Sequence, residues 1–177
     1  LLAGEIQQLD WIAKAGVYKR WPDAVEIKLV ERVPIVRWGK EGFLDASGTP
    51  FTVPDNDKLR GLFKLQGPDG YEQQVLQYYE DIAPWLAARH LDVARLTLDP
   101  RLVWHVELSG GTDIILGRDQ LNERLKKLVV VNDKVIKPYH PYIDAIDLRY
   151  HDGFSVRWKA GVRPVTTEAK DKTKEKK

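Results

Sequence analysis

The 177-residue chain has no cysteine, which excludes a disulfide scaffold and thiolate metal sites without naming a compartment. It has no methionine either, and it opens on "LLAGEIQQLDWIAKA" with no initiator, so it reads as an excised piece. Nowhere is there a run of about 20 apolar residues, so no segment is expected to cross a membrane as a helix or to serve as a secretory signal. A surplus of one charge is missing as well. The formal charge is +2, but "PVTTEAKDKTKEKK" (164–177) holds five Lys against three acidic residues, which leaves 23 basic and 23 acidic side chains in residues 1–163. That balance implies no basic face, so no nucleic-acid partner is expected. The tail has no apolar residue after Ala169 and reads as disordered. A chain of this size buries roughly 70% of its unfolded surface and holds a core without metal or disulfide.

What is present is a succession of short apolar segments. Leu2, Ile6, Leu9 and Ile12 recur at helical spacing, with Gly16 as a C-cap. "VYKRWPDAVEIKLVERV" reads as a hairpin, with Pro22 at the second position of a type I turn and Val25, Ile27 and Leu29 on one strand face. Pro34 marks a junction. The segments from "IVRW" to "TPFTVP" form an antiparallel meander, and "GLFKLQ" adds a strand. "YEQQVLQYYEDIAPWLAARH" is helical, with Val75, Tyr78, Tyr79, Ile82, Trp85 and Leu86 on its apolar side, and Pro84 is expected to kink or break it near Ile82. "DVARLTLD" and "LVWHVELSGGTDIILG" give three strands, two of them joined at Gly110-Gly111. A second helix, "RDQLNERLKKLVVV", is expected to be capped by Asp119. No βαβ alternation is read, so the fold class is α+β: a mostly antiparallel β domain with flanking helices.

The closing segment "AIDLRYHDGFSVRW" alternates so clearly that it predicts a final hairpin. A three-residue loop, His151-Asp152-Gly153, pairs Tyr150 with Phe154, Leu148 with Val156 and Ile146 with Trp158, which keeps the apolar side chains on one face. Arg149 then faces Ser155, and Asp147 faces Arg157. The last strand is expected at a sheet edge, where Arg157 and Lys159 discourage uncontrolled self-pairing.

Chemistry-bearing patterns are scarce. His90, His105, His140 and His151 lack ligand-like spacing and read as ordinary surface or strand histidines. "SGGT" before Asp113 reads as a hairpin turn, because no phosphate-binding glycine motif accompanies it. No G-x-S-x-G elbow occurs. Carboxylate pairs such as Glu80-Asp81 read as solvated. No enzymatic reaction and no cofactor is expected, and a binding or scaffold role is favoured.

Two stretches together resemble the extracytoplasmic part of the FtsQ/DivIB cell-division family. These are "VYKRWPDAVEIKLVERVPIVRW" (17–38), with Arg20-Trp21-Pro22-Asp23 and Glu31-x-x-Pro34-x-x-x-Trp38, and "AIDLRYHDGFSVRW" (145–158), with Asp147-Leu148-Arg149-Tyr150 closing on Trp158. "FLDASGTPF" (43–51) and "LGR" (116–118) fit too. The resemblance implies a POTRA domain (strand, helix, helix, strand, strand) followed by a β domain. Residues 1–33 would then be an incomplete POTRA of helix plus β-hairpin, 34–163 the β domain, and 164–177 the charged tail.

It also implies a non-enzymatic divisome scaffold at the septum, single-pass in the inner membrane, with this part in the periplasm. Membrane contact would come only through an N-terminal helix absent from this sequence. The implied partners are FtsB and, through it, FtsL, with other divisome proteins; FtsB would add a strand to the terminal edge. The implied contact residues are Arg101, Arg149, Tyr150, Asp152, Gly153 and Trp158, and Phe154 and Val156 join them as members of the expected edge strand. Read from the residues alone, Arg101 and Arg149 are equally solvated arginines, and Tyr150 and Trp158 equally core residues of the hairpin. Two other readings remain open at this point: a POTRA-type chaperone or translocation module, and an enzyme with an unrecognised site.

Overall fold

The structure, a computed structural model, describes residues 9–53 and 57–162. Alternating side chains build the first unit, an antiparallel hairpin of β1 (Ile12–Arg20) and β2 (Ala24–Glu31). The helix read over residues 1–15 does not reach Gly16, because Ile12 onward pairs with β2; residues 1–8 lie outside the described residues. The Trp21–Pro22 peptide at the tip is cis. Val25, Ile27 and Leu29 do share a face, yet all three are largely exposed.

Beyond Pro34 lies a nine-stranded mixed sheet. β3 (Val36–Trp38), β4 (Gly42–Leu44) and β5 (Pro50–Phe51) form the expected meander at one end. β6 (Lys64–Gln66), β7 (Val93–Leu98), β8 (Trp104–Leu108), β9 (Asp113–Gly117), β10 (Ile143–Asp147) and β11 (Ser155–Trp158) complete it, in the order β11-β10-β9-β8-β7-β6-β3-β4-β5. Antiparallel ladders predominate, but β6 runs parallel to both β3 and β7, and β10 runs parallel to β9.

Helix α1 (Glu72–Ala87) connects β6 to β7, and α2 (Leu121–Val131) connects β9 to β10. Two βαβ crossovers are therefore present where none was read. Their first and last strands are only three and five residues long, too short to show the pattern of a parallel sheet. Helix α1 runs on through Pro84 to Ala87. The proline sits in the last turn, where its missing N–H removes only one bond. Asp119 does not cap α2. Gln120 intervenes as N-cap in a left-handed conformation (φ 54°) without a side-chain cap bond. After Val131 the helix widens into a π turn, Asn132–Ile136.

One sheet face carries the core. Leu96, Leu98, Trp104, Val106, Leu108, Ile114 and Leu116 are buried with Val75, Ile82 and Leu86 of α1 and Leu125 and Leu128 of α2. The alternate residues of the same strands, among them Arg95, His105, Glu107 and Asp113, lie on the opposite, uncovered face, as period-two geometry requires.

The closing hairpin forms in a different register. Ile146 faces Val156, Asp147 faces Ser155 and Ala145 faces Arg157, with a bulge that brings Ile143 opposite Trp158. The expected Tyr150–Phe154, Leu148–Val156 and Arg149–Ser155 pairs do not form, and the connection is the longer loop 148–154. The cause lies on the other side of β10. There the parallel ladder holds Asp147 to Ile115, and Leu148 is fully buried with its N–H on the Ile115 carbonyl at 3.0 Å, so the chain cannot turn back at His151 along β11. A slip of two residues keeps each side chain on its expected face.

Candidate functional site

The tail after β11 does not enter the sheet within the described residues, and β11 is an edge strand. The Lys159 N–H donates inward to the Tyr142 carbonyl at 2.9 Å. Alternation along an antiparallel strand then turns the backbone groups of Arg157 inward and those of Val156 and Trp158 outward. Val156 and Trp158 also pack side chains against the core, and Trp158 meets Tyr139 edge-on at 6.0 Å between ring centroids. Arg157 is held across the hairpin by Asp144, Nε to Oδ2 at 2.5 Å.

The loop leading into β11 carries the exposed aromatic side chains. Tyr150 is 58% exposed and Phe154 40%. Both are more open than a reading as core residues allows. A lysine from α2 shapes the loop: Lys127 Nζ donates to the carbonyls of Tyr150 (2.8 Å), His151 (3.1 Å) and Gly153 (3.3 Å). Asp152 points into solvent and, among the described residues, bonds its neighbour, the His151 ring, at 2.6 Å.

Arg149 is not simply solvated. Its guanidinium grips Asp147 in two places, Nε to Oδ1 at 2.9 Å and Nη2 to Oδ2 at 2.6 Å. The bonds from Arg149 hold the Asp147 carboxyl below its ordinary range against its partial burial. Arg101 stands on the β7–β8 turn, exposed and without an ion pair among the described residues. It shares one open hollow on the uncovered face with Arg149, Arg118, Arg124, Asp99 and His105. Far apart in sequence, Arg101 and Arg149 are brought together there.

Gly117 leaves room for two of these arginines. Its φ of +92° is left-handed, and a Cβ there would lie 3.0 Å from Cγ of Arg149 and closer still to Arg124.

The family model for the C-terminal domain of cell division protein FtsQ/DivIB matches residues 36–149, and the FtsQ-type POTRA family model matches residues 1–32. The chain belongs to the FtsQ/DivIB family. It is 37% identical over 151 residues to the cell division protein FtsQ of Cellvibrio japonicus, covering 85% of this chain and 47% of the relative. With FtsQ of Xanthomonas campestris it shares 39% over 151 residues, covering 85% and 54%. With FtsQ of Burkholderia pseudomallei it shares 34% over 170 residues, covering 94% and 68%. The chain thus spans about half the length of the first two FtsQ/DivIB relatives and about two thirds of the third. No helix among the described residues is long and apolar enough to cross a membrane.

Several members of the site escaped the sequence reading. Lys127 looked like one more solvated helix lysine, and nothing local marks it as a loop anchor. The contact between His105 and Asp113 was legible: a turn at Gly110-Gly111 sets them diagonally on one face.

Proposed function

We propose that this chain is the periplasmic part of a single-pass inner-membrane scaffold of the division septum, with no catalytic step of its own. It binds FtsB, and FtsL through it, by accepting an FtsB strand along β11. In this reading residues 1–33 are the POTRA portion and 34–163 the β domain that binds.

The observation that carries the reading is the outward row of backbone groups at Val156 and Trp158, flanked by the exposed Tyr150 and Phe154. Backbone pairing supplies affinity in such an addition, and side chains on alternate positions supply specificity. Arg101 and Arg149, on the hollow beside the edge, meet acidic groups of the partner, while Asp152 and Gly153 offer the loop backbone. Family membership supports the scaffold role.

The test is calorimetric titration of the periplasmic part of FtsB into Val156→Pro. The substitution deletes one outward donor and leaves the β10–β11 ladder intact. Binding should weaken at least about tenfold, roughly 1.4 kcal/mol. A folded Val156→Pro protein that binds FtsB like the parent overturns the proposal.

A further inference from the structure

His105 has a carboxylate at each ring nitrogen. Nδ1 lies 3.0 and 3.3 Å from the two oxygens of Asp113, and Nε2 lies 3.7 Å from Oδ2 of Asp99. The other oxygen of Asp99 folds the neighbouring turn, accepting the N–H of Arg101 at 2.8 Å and of Val103 at 2.9 Å. Leu102 in that turn has a φ of 60°, a left-handed conformation that a leucine keeps only where its surroundings impose it. One carboxylate therefore both faces the ring and holds the turn that carries Arg101.

A neutral imidazole has a single N–H. Given to Asp113, it leaves a lone pair facing the Asp99 carboxylate, whereas an imidazolium donates toward both. We propose that His105 is a positioning residue: protonated, it fastens the Arg101 turn to the sheet, and neutral, it lets the turn loosen, which makes the partner edge pH-dependent. The second half rests on the FtsB reading above. The first half is a property of the free protein.

The surroundings favour the charged form. The hydrogen bond that the ring donates to Asp113 raises it above the ordinary histidine value; burial opposes it, and the charges of Asp113 and Asp99 add to it. Burial pushes the Asp99 carboxyl up, but the N–H groups of Val103 and Arg101 and the charge on His105 hold it below the ordinary value. The cross-strand neighbours Thr97 and Ile115 are uncharged. Farther round the hollow stand Arg101, Arg118, Arg124, Arg149 and Asp119, of which Arg124 is turned to the Leu116 carbonyl and Arg149 to Asp147. Arg95 and Glu107, on the next rung of β7 and β8, pair with each other. With the folded value raised, the fastening is complete below the ordinary histidine pKa and is lost as pH rises through the folded one.

The experiment is a nuclear magnetic resonance titration of the free protein from about pH 5 to about pH 9, reading the His105 ring and the Arg101 and Val103 amides together. The ring should titrate above the ordinary histidine value. The two amides should shift with the same midpoint, and their protection, corrected for intrinsic exchange, should fall above it. In His105→Gln the step at both amides should vanish. In Asp113→Asn, which keeps the shape, ring and amide midpoints should fall together. Amides that ignore the ring, or keep their step in His105→Gln, overturn the proposal. FtsB affinity should fall across the same midpoint in the parent and stay level in His105→Gln. A coupled turn with pH-independent FtsB binding overturns the claim about the edge. Absence of FtsB binding at any pH counts against the proposed function instead, and the amides still decide the role of His105.

Discussion

Arg32 Nη1 lies 2.6 Å from Oδ2 of Asp45, and this pair ties the base of the β1–β2 hairpin to the end of β4. Both side chains are mostly buried, and Arg32 Nε also donates to the Asp10 carbonyl at 3.1 Å. The second Asp45 oxygen accepts the N–H groups of Ser47 and Thr49 and the Ser47 hydroxyl. A single carboxylate thus closes a turn and joins two units.

Arg32→Ala should cost about 1.5–3 kcal/mol in chemical denaturation, the range for a hydrogen bond to a charged group. Asp45→Ala should cost more, because it also strands the turn N–H groups. The loss in Arg32→Ala should be concentrated in the hairpin, whose apolar face is exposed and whose amides at 17–31 should already exchange faster than those of β8 to β10. Equal protection in the two regions would contradict this.

The same carboxylate sets an acid dependence. Burial raises it, but the bonds from Ser47, Thr49 and Arg32 prevail and hold the Asp45 carboxyl below its ordinary value. Its contribution is therefore present above the ordinary carboxylate pKa, about 4, and is lost as pH falls through the lower folded value. Asp45→Asn should lower stability at neutral pH and flatten the acid limb of the stability profile.

At the edge, Tyr150→Ala should weaken FtsB binding by about thirtyfold or more, equivalent to about 2 kcal/mol, with circular dichroism unchanged because the side chain is exposed. The two arginines should differ. Arg101→Glu should slow association and alter its salt dependence, whereas Arg149→Glu also breaks the grip on Asp147 and should lower stability.

Lys127→Met should leave the melting temperature nearly unchanged and speed exchange in the loop 148–154, whose carbonyls it releases. FtsB should bind this variant more weakly through loss of preorganisation. A loop as protected as in the parent would show that the lysine does not hold it.

The architecture was legible where side-chain period decides it. The alternation in "AIDLRYHDGFSVRW" gave the terminal edge and its faces, and the Gly110-Gly111 turn gave the β8–β9 hairpin. Contacts that depend on distant chain were not. The loop 148–154 is set by the parallel ladder to β9, which no pattern within the segment announces. Gln120, itself left-handed, stands at the head of α2 in place of Asp119, which no local pattern announces. At the site, the residues alone left Tyr150 and Trp158 open between core and contact, and the anchoring Lys127 and the approach of Asp99 to the far nitrogen of His105 required the fold.

The most direct measurement is amide exchange at Val156, Arg157 and Trp158 in the free protein and in the FtsB complex. Free, Arg157 should be protected by β10, and Val156 and Trp158 should exchange rapidly from the open edge. In the complex Val156 and Trp158 should become protected, at least one hundredfold slower, about 2.7 kcal/mol, with little change at Arg157. Saturating FtsB that leaves Val156 and Trp158 as fast as in the free protein would contradict strand addition at β11.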